Sequence, residues 1–522
     1  MHSEYDQERR VFLKTAAAAT AVAAAPAVAK PGIPARGEPD WDGMAWAEHI
    51  RKGDVTPKEA LEAAISRTEA LPKLNAVVIQ DYEMARAKAK AMSALGREAR
   101  AQATAQAPMW GVPFLIKDLN QYVKGSVTTN GCRFYAGAVA DYDSTLVERY
   151  KAAGLNIFGK TASPEFGQTA TTESTLFGAT PNPWNPRHSA GGSSGGAGAV
   201  VAAGILPVAH GSDGGGSIRI PAAHCGLVGL KPSRGRVPTG PVNMEGWMGL
   251  SLNHVVCRTV RDSAHLLDLT AGPEAGSRVM PPKDVSGTYL QALQQPERKL
   301  RIAVWRQNYF GIPVHPDCVA AQDHAAKTCA ALGHIVEEVA LPGLDVLALF
   351  TSLGVMTSVG MRYTIAQREK LLGRKVREDE LEPLNWRYMQ VSEGYTAEQL
   401  YAARAQFDQA GRVIDQYLHD YDLILTPTTG EPAPLLGKLA LTQSYEDFAR
   451  QAMKTSVYTA LFNMSGHPAI SLPMHWTADN VPVGAQFVAP FGGEGRLLRL
   501  AAQLEQAVPW AQRRPDLSVF QA

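Results

Sequence analysis

Short apolar runs separated by amphipathic stretches set the pattern of this chain. WGVPFLIKDLN (110–120) stays apolar until Lys117 and Asp118, which predicts a buried strand whose last residues emerge at the sheet edge. Beyond it, Ser144 to Ala153 predicts a helix, LNIFGK a strand, Ala197 to Ala203 a helix of small residues and ILPVAH a strand. The run VRDSAHLLDLTAG predicts a helix stopped by Gly272 and Pro273. RIAVW (301–305), YDLILTPTT (421–429), MSGHPAISLPM (464–474) and VGAQFVAP (483–490) predict further strands. From about Pro313 to Leu418 the chain reads as mostly helical, with a long charged stretch around Gln367 to Glu382.

Near the start, Thr56, Pro57 and Glu59 form a capping box with proline at the first helical position, and Leu61, Ala64, Ile65 and Thr68 keep one face. Another helix is expected over Tyr82 to Arg97. Alternating strand and helix signals predict one large α/β domain, with a mixed and mostly parallel central sheet covered by helices. The expected division is a signal segment over 1–29, a linker and N-terminal helical appendage over 30–80, and the main body over 81–522.

The first segment is read apart from the fold. RRVFLK, containing Arg9 and Arg10, precedes an uncharged, alanine-rich run from Thr15 to Ala29 that ends in APA and AVA. This pattern predicts a twin-arginine export signal and a periplasmic location. No later 18-residue apolar span is read from the sequence, so no stable membrane insertion is expected.

Composition narrows the function classes. Lys+Arg 51 against Asp+Glu 50 gives a net charge of +1, which supplies no field for nucleic acid. The five cysteines carry no CxxC pair and read as small buried hydrophobes, so neither a metal nor a cofactor is expected.

The chemistry gathers at two glycine turns in GGSSGGAGAVVAAGILPVAHGSDGGGSIRIP (191–221). Glycine lets backbone N–H groups approach an oxyanion or a phosphate closely. The chain lacks GxxxxGK[ST] and a GxGxxG at a strand-helix junction, which argues against a nucleotide. No GxSxG surrounds Ser217, and His210, His224, His254 and His467 read as core or supporting residues rather than members of a Ser-His-Asp triad.

GGSSGG and GSDGGGSIRIPA, with GVPFLIKD upstream, resemble the signature of the amidase signature family of serine hydrolases. The resemblance runs from about Trp41 to Trp510, and the pair of motifs is highly specific. It implies the amidase signature fold and amide hydrolysis through an acyl-enzyme. Ser217 would be the nucleophile, Ser193 a proton-relaying serine on a cis peptide and Lys117 the base. The N–H groups of Gly214, Gly215, Gly216 and Ser217 would form the oxyanion hole, with Ser194, Asp213 and Arg219 in support. Two positions depart from the pattern: Gly214, where a larger residue is common, and Ala190, where proline is common.

The physics fits those roles. A serine needs a base to take its proton, and lysine is one only when neutral. Burial after FLI would lower the Lys117 pKa, and Asp118, pointing to the other face of the strand, need not raise it again. The run GWMGLSLNHVVCRTVRDSAHLLD (246–268) resembles a subgroup that includes cyclic-dimer hydrolases acting on nylon-type oligomers. Trp247, Met248, Phe350, Met356, Met361, Tyr363 and Trp386 are candidates for an apolar acyl pocket. The expected substrates are small to medium apolar, aryl or cyclic amides, with carbamates and esters as further candidates. A glutaminase-like amidotransferase subunit or a noncatalytic binding member of the same fold is the alternative, and a homodimer is left open.

Overall fold

Most of the apolar runs become strands. In the computed structural model, which describes residues 41–521, these are β1 (Val77–Gln80), β2 (Pro113–Lys117), β3 (Asn156–Thr161), β4 (Val208–Asp213), β5 (Val228–Lys231), β6 (Leu252–Cys257), β7 (Arg301–Val304), β8 (Ile335–Glu338), β9 (Leu423–Pro427), β10 (Ala469–Trp476) and β11 (Pro482–Val488). The export signal and the linker before residue 41 lie outside the described residues.

Eight strands form the main sheet in the order β8-β7-β9-β11-β10-β5-β6-β4, and β1-β3-β2 form a second, smaller sheet. The main sheet is mixed, flanked by helices, and mostly antiparallel. Only β8-β7 and β7-β9 are parallel pairs, while the remaining five neighbours run antiparallel. This corrects the expected mostly parallel sheet. Fully buried apolar strands suggested parallel pairing, yet every residue of the antiparallel strands β4, β5, β6 and β11 is also buried. Helical cover on the sheet produces the same pattern whatever the strand direction. The short connection between β10 and β11 makes a hairpin, because a parallel return needs a longer crossover.

Helices start and stop for local reasons. Thr56 and Glu59 complete the capping box, and Pro57 opens the helix Pro57–Glu69. The helix begun at Tyr82 ends at Ser93, short of Arg97, and a separate helix follows from Gly96 as N-cap. The helix Val346–Leu372 stops at Gly373, whose φ of 65° is left-handed, and the charged stretch beyond it keeps only a short 3-10 turn, Glu378–Glu380. By length and composition this helix could span a membrane, an 18-residue window of it having a mean hydropathy of 1.3, contrary to the expectation of no such segment. Part of its apolar character is accounted for by Phe350, Leu353 and Val359, which line cavities. The described residues form one compact unit, and Trp46 and Ile50 of the helix Gly43–Lys52 share a core with Phe114 and Tyr150.

Candidate active site

Three segments bring the polar residues together. β2 ends at Lys117, the helix Gly195–Ala202 begins just after Ser193 and Ser194, and β4 ends at Asp213 before the turn carrying Ser217. Strand β2 packs alongside β4, and the Lys117 backbone N–H donates to His210 Nδ1 on β4 at 3.2 Å.

Lys117 is fully buried. Its Nζ donates to Ser193 Oγ at 2.7 Å and to Ser212 Oγ at 2.9 Å. Burial lowers its pKa to about 7, while the charge of Asp213 pulls the other way. A lysine so poised is partly neutral near pH 7 and can take a proton from a neighbouring hydroxyl. Asp118 turns away: its carboxylate accepts from the backbone N–H and hydroxyl of Thr129. The Gly192-Ser193 peptide is cis.

Ser194 ties the two glycine turns to each other. Its N–H donates to the Ser217 carbonyl at 3.2 Å, and its hydroxyl donates to Ser212 O and accepts from Ser212 N–H. Ser217 and Ser193 open onto one cavity of about 380 Å³. At Gly216, φ is +133° and a Cβ would sit 2.4 Å from Thr459 Oγ1, so only glycine fits the tightest point of the turn.

A buried ion pair holds the turn from behind. The guanidinium of Arg219 donates to both carboxylate oxygens of Asp213, to Gln486 Oε1, to Asn463 Oδ1 and to Thr459 O. Burial raises the Asp213 pKa, but the charge and hydrogen bonds of Arg219 outweigh it and hold the carboxyl well below its usual range. The same carboxylate accepts from Gly216 N–H at 2.8 Å and from Ile218 N–H at 3.1 Å. Gly216 N–H is therefore held by Asp213. Among the described residues, the N–H groups of Gly214, Gly215 and Ser217 accept no such claim from the protein and remain available.

The histidines do not compete for the nucleophile's proton. His210 has Nδ1 occupied by Lys117 N–H and Nε2 against Asn253 Oδ1, and burial lowers its pKa to about 3. His254 pairs with Ser263, and His467 lies between Ser465 and Asp415. His224 is buried with neither ring nitrogen hydrogen-bonded.

Of the aromatic and methionine candidates, Trp247 and Phe350 line a cavity of about 300 Å³ beside Ser217. Met248, Met356 and Tyr363 line the cavity shared by Ser217 and Ser193. Met361 and Trp386 do not reach either cavity and pack instead with Phe134, Tyr135 and Phe166.

A family model described as amidase matches residues 59–498. The chain belongs to the amidase family. It is an amide C–N hydrolase. A 6-aminohexanoate-cyclic-dimer hydrolase of Paenarthrobacter ureafaciens is 37% identical over 489 residues, 91% of this chain and 96% of that relative. A solved 6-aminohexanoate cyclic dimer hydrolase in complex with substrate superposes with a TM-score of 0.84, covering 91% of this amidase and 99% of that chain at 37% identity. A bacterial aryl acylamidase of the amidase signature family superposes with a TM-score of 0.81 at 28% identity, covering 91% of this chain and 98% of that one.

Sequence reasoning missed Ser212, Thr459, Asn463 and Gln486. Ser212 stands beside Asp213 in GSDGGGS, so its nearness to the site was legible; that its hydroxyl meets Lys117 was not. Asn463 and Gln486 carry no local signal, since each meets the turn only through partners distant in sequence, Arg219 for both and Asp213 for Asn463. The loop Gly167, Gln168, Thr169 and Ala170 and the aromatic residues Tyr388, Tyr445 and Phe448 complete the 300 Å³ cavity.

Proposed function

We propose that this amidase cleaves its substrates through a Ser217 acyl-enzyme, with Lys117 as base and Ser193 as the relay. The observation that carries the reading is the buried Lys117 Nζ, 2.7 Å from the Oγ of Ser193, a residue that lines the same cavity as Ser217. Ser217 Oγ forms a bond to the amide carbon while its proton passes to Ser193, whose own proton passes to neutral Lys117. The oxyanion is held by the N–H groups of Gly214, Gly215 and Ser217. The proton then returns through Ser193 to the nitrogen, the C–N bond breaks, and the amine leaves. Water attacks the ester by the same relay in reverse and releases the acid. Losing one oxyanion donor in such a site costs about 3 kcal/mol.

The acyl side of the substrate is apolar or aryl, because Ile220, Trp247, Phe350, Leu353 and Phe448 dominate the cavity beside Ser217. Cyclic amides are included, in keeping with the cyclic-dimer hydrolase relatives. Carbamates and esters follow as side reactions of the same acyl transfer. The protein acts in the periplasm after twin-arginine export, on the strength of Arg9, Arg10 and the apolar run behind them.

A panel of aryl, alkyl and cyclic amides, with glutamine included, tests the reading in wild type, Ser217→Ala and Lys117→Ala. Turnover of apolar amides by wild type with loss in both variants is expected. Turnover retained by both variants overturns the mechanism, and activity on glutamine alone favours the amidotransferase alternative.

A further inference from the structure

The cavity holding Ser217 and Ser193 continues into another of about 390 Å³, and Asn120, Ser212, Asn243, Ser251 and Tyr363 are among the residues that line both. The apolar cavity beside Ser217 shares no lining residue with this far compartment. The two halves of an amide therefore have separate places to go. On the proposed reading of Ser217, Ser193 and Lys117, the leaving nitrogen must face the relay that protonates it, and Ser193 lines only the central cavity. The acyl half then lies against Trp247 and Phe350, and the amine half runs toward the far compartment.

That compartment contains an arginine without an anion. Arg368, in the last turns of the helix Val346–Leu372, lines it with its guanidinium carbon 5.4 Å from the centre of the Tyr135 ring. Its Nε is buried and has no hydrogen-bond partner. Neighbouring arginines are all paired: Arg362 with Glu369, Arg374 with Glu380 and Arg377 with Asp379. Glu369, adjacent in sequence, is taken by Arg362 and Lys375. Among the described residues, no carboxylate lies within ion-pair distance of Arg368. The other charged residue of the lining is Asp141, which is exposed. Buried donors in native proteins are nearly always partnered, and Arg368, which lines the cavity, carries one that is not.

We propose that the far compartment holds the amine half of the substrate and that Arg368 binds a carboxylate at its end. The substrate class is then an N-acyl amino acid in the broad sense: an apolar acyl group joined through the scissile amide to an amine that carries a carboxylate several carbons away. A planar guanidinium steadied by stacking on Tyr135 matches a planar carboxylate, and Tyr122, Tyr142 and Tyr363 give the connecting carbons an aromatic wall. Asp141 at the rim disfavours a second carboxylate further out.

The test compares N-phenylacetyl-δ-aminovalerate with N-pentyl phenylacetamide, which differ in the carboxylate and leave the acyl half unchanged. Phenylacetate release is followed in wild type, Arg368→Gln and Arg368→Lys. Wild type is expected to favour the carboxylate substrate in kcat/KM by about ten- to a hundredfold, mostly through KM. Arg368→Gln should abolish that preference and leave N-pentyl phenylacetamide unaffected, and Arg368→Lys should restore part of it. No preference in wild type, or an equal loss on both substrates in Arg368→Gln, overturns the proposal. If Arg368→Gln does not fold, the wild-type comparison decides alone. Turnover of both substrates by Ser217→Ala would instead sink the acyl-enzyme reading on which the orientation rests.

Discussion

A Cβ on Gly214 would lie 2.6 Å from Cζ3 of Trp247, so the indole occupies the space that a side chain at position 214 would fill. The other edge of the indole meets Gly360, where a Cβ would come 2.8 Å from Cδ1. Trp247 itself has a φ of 48°, an uncommon conformation for a bulky residue. Glycine at 214 departs from the pattern of the motif because a tryptophan takes its place from elsewhere in the chain.

Gly214→Ala is accordingly expected to lower kcat/KM by about ten- to a hundredfold, the equivalent of roughly 1–3 kcal/mol of overpacking. The same substitution in a Trp247→Ala background should cost far less. A double-mutant cycle on one apolar amide measures the difference, and strict additivity would refute the packing relationship.

Activity should rise with pH through about 7. Lys117 serves as base only when neutral, and its folded pKa is lowered to about 7. A kcat/KM profile that is flat from pH 5 to 9 would contradict this. The same shift has a stability consequence. Between about 7 and the ordinary 10.5 the folded state binds fewer protons at Lys117 than the unfolded chain, so its contribution to stability grows as pH rises across that window.

Arg219→Met should destabilise the protein by about 3–5 kcal/mol, because it leaves Asp213 buried without its cation. Asp213 contributes stability above its unfolded pKa of about 3.8, lost as pH falls below that value, and the variant should lose most of this acid sensitivity. Thermal melts of wild type and variant at about pH 2.5 and pH 7 check both statements.

Ser194→Ala removes a hydroxyl that bonds Ser212 twice and leaves Ser212 N–H without its acceptor. The expected loss is about 1–3 kcal/mol in stability, with a fall in kcat exceeding any change in KM, since Ser194 lines none of the three substrate cavities. Kinetics on one amide together with a melting curve separate the two effects.

Replacing Arg9 and Arg10 together by Lys should retain the protein in the cytoplasm, because the twin-arginine route reads that pair. Fractionation of cells expressing each form measures it, and unchanged periplasmic activity would reject the export reading.

The residues of the motifs and the strand ends were legible because they are local. A glycine turn, a capping box or an apolar run ending on Lys117 carries its physics within a few positions, and the family resemblance joined them into one chemistry. The direction of strand pairing was not legible. Buried strands such as β4 and β11 look alike in sequence whether their neighbours run parallel or antiparallel.

By itself, the sequence determined the α/β class, the family, and the serines and lysine from which the acyl-enzyme reading is built. The tertiary structure decided which groups actually meet. It put Lys117 within 2.7 Å of Ser193 across 76 residues of chain, committed Gly216 N–H to Asp213, set Trp247 against Gly214 and left Arg368 lining a cavity with no carboxylate paired to it. Burial and hydrogen-bond pairing depend on residues distant in the chain, and no local pattern encodes which of them will be neighbours.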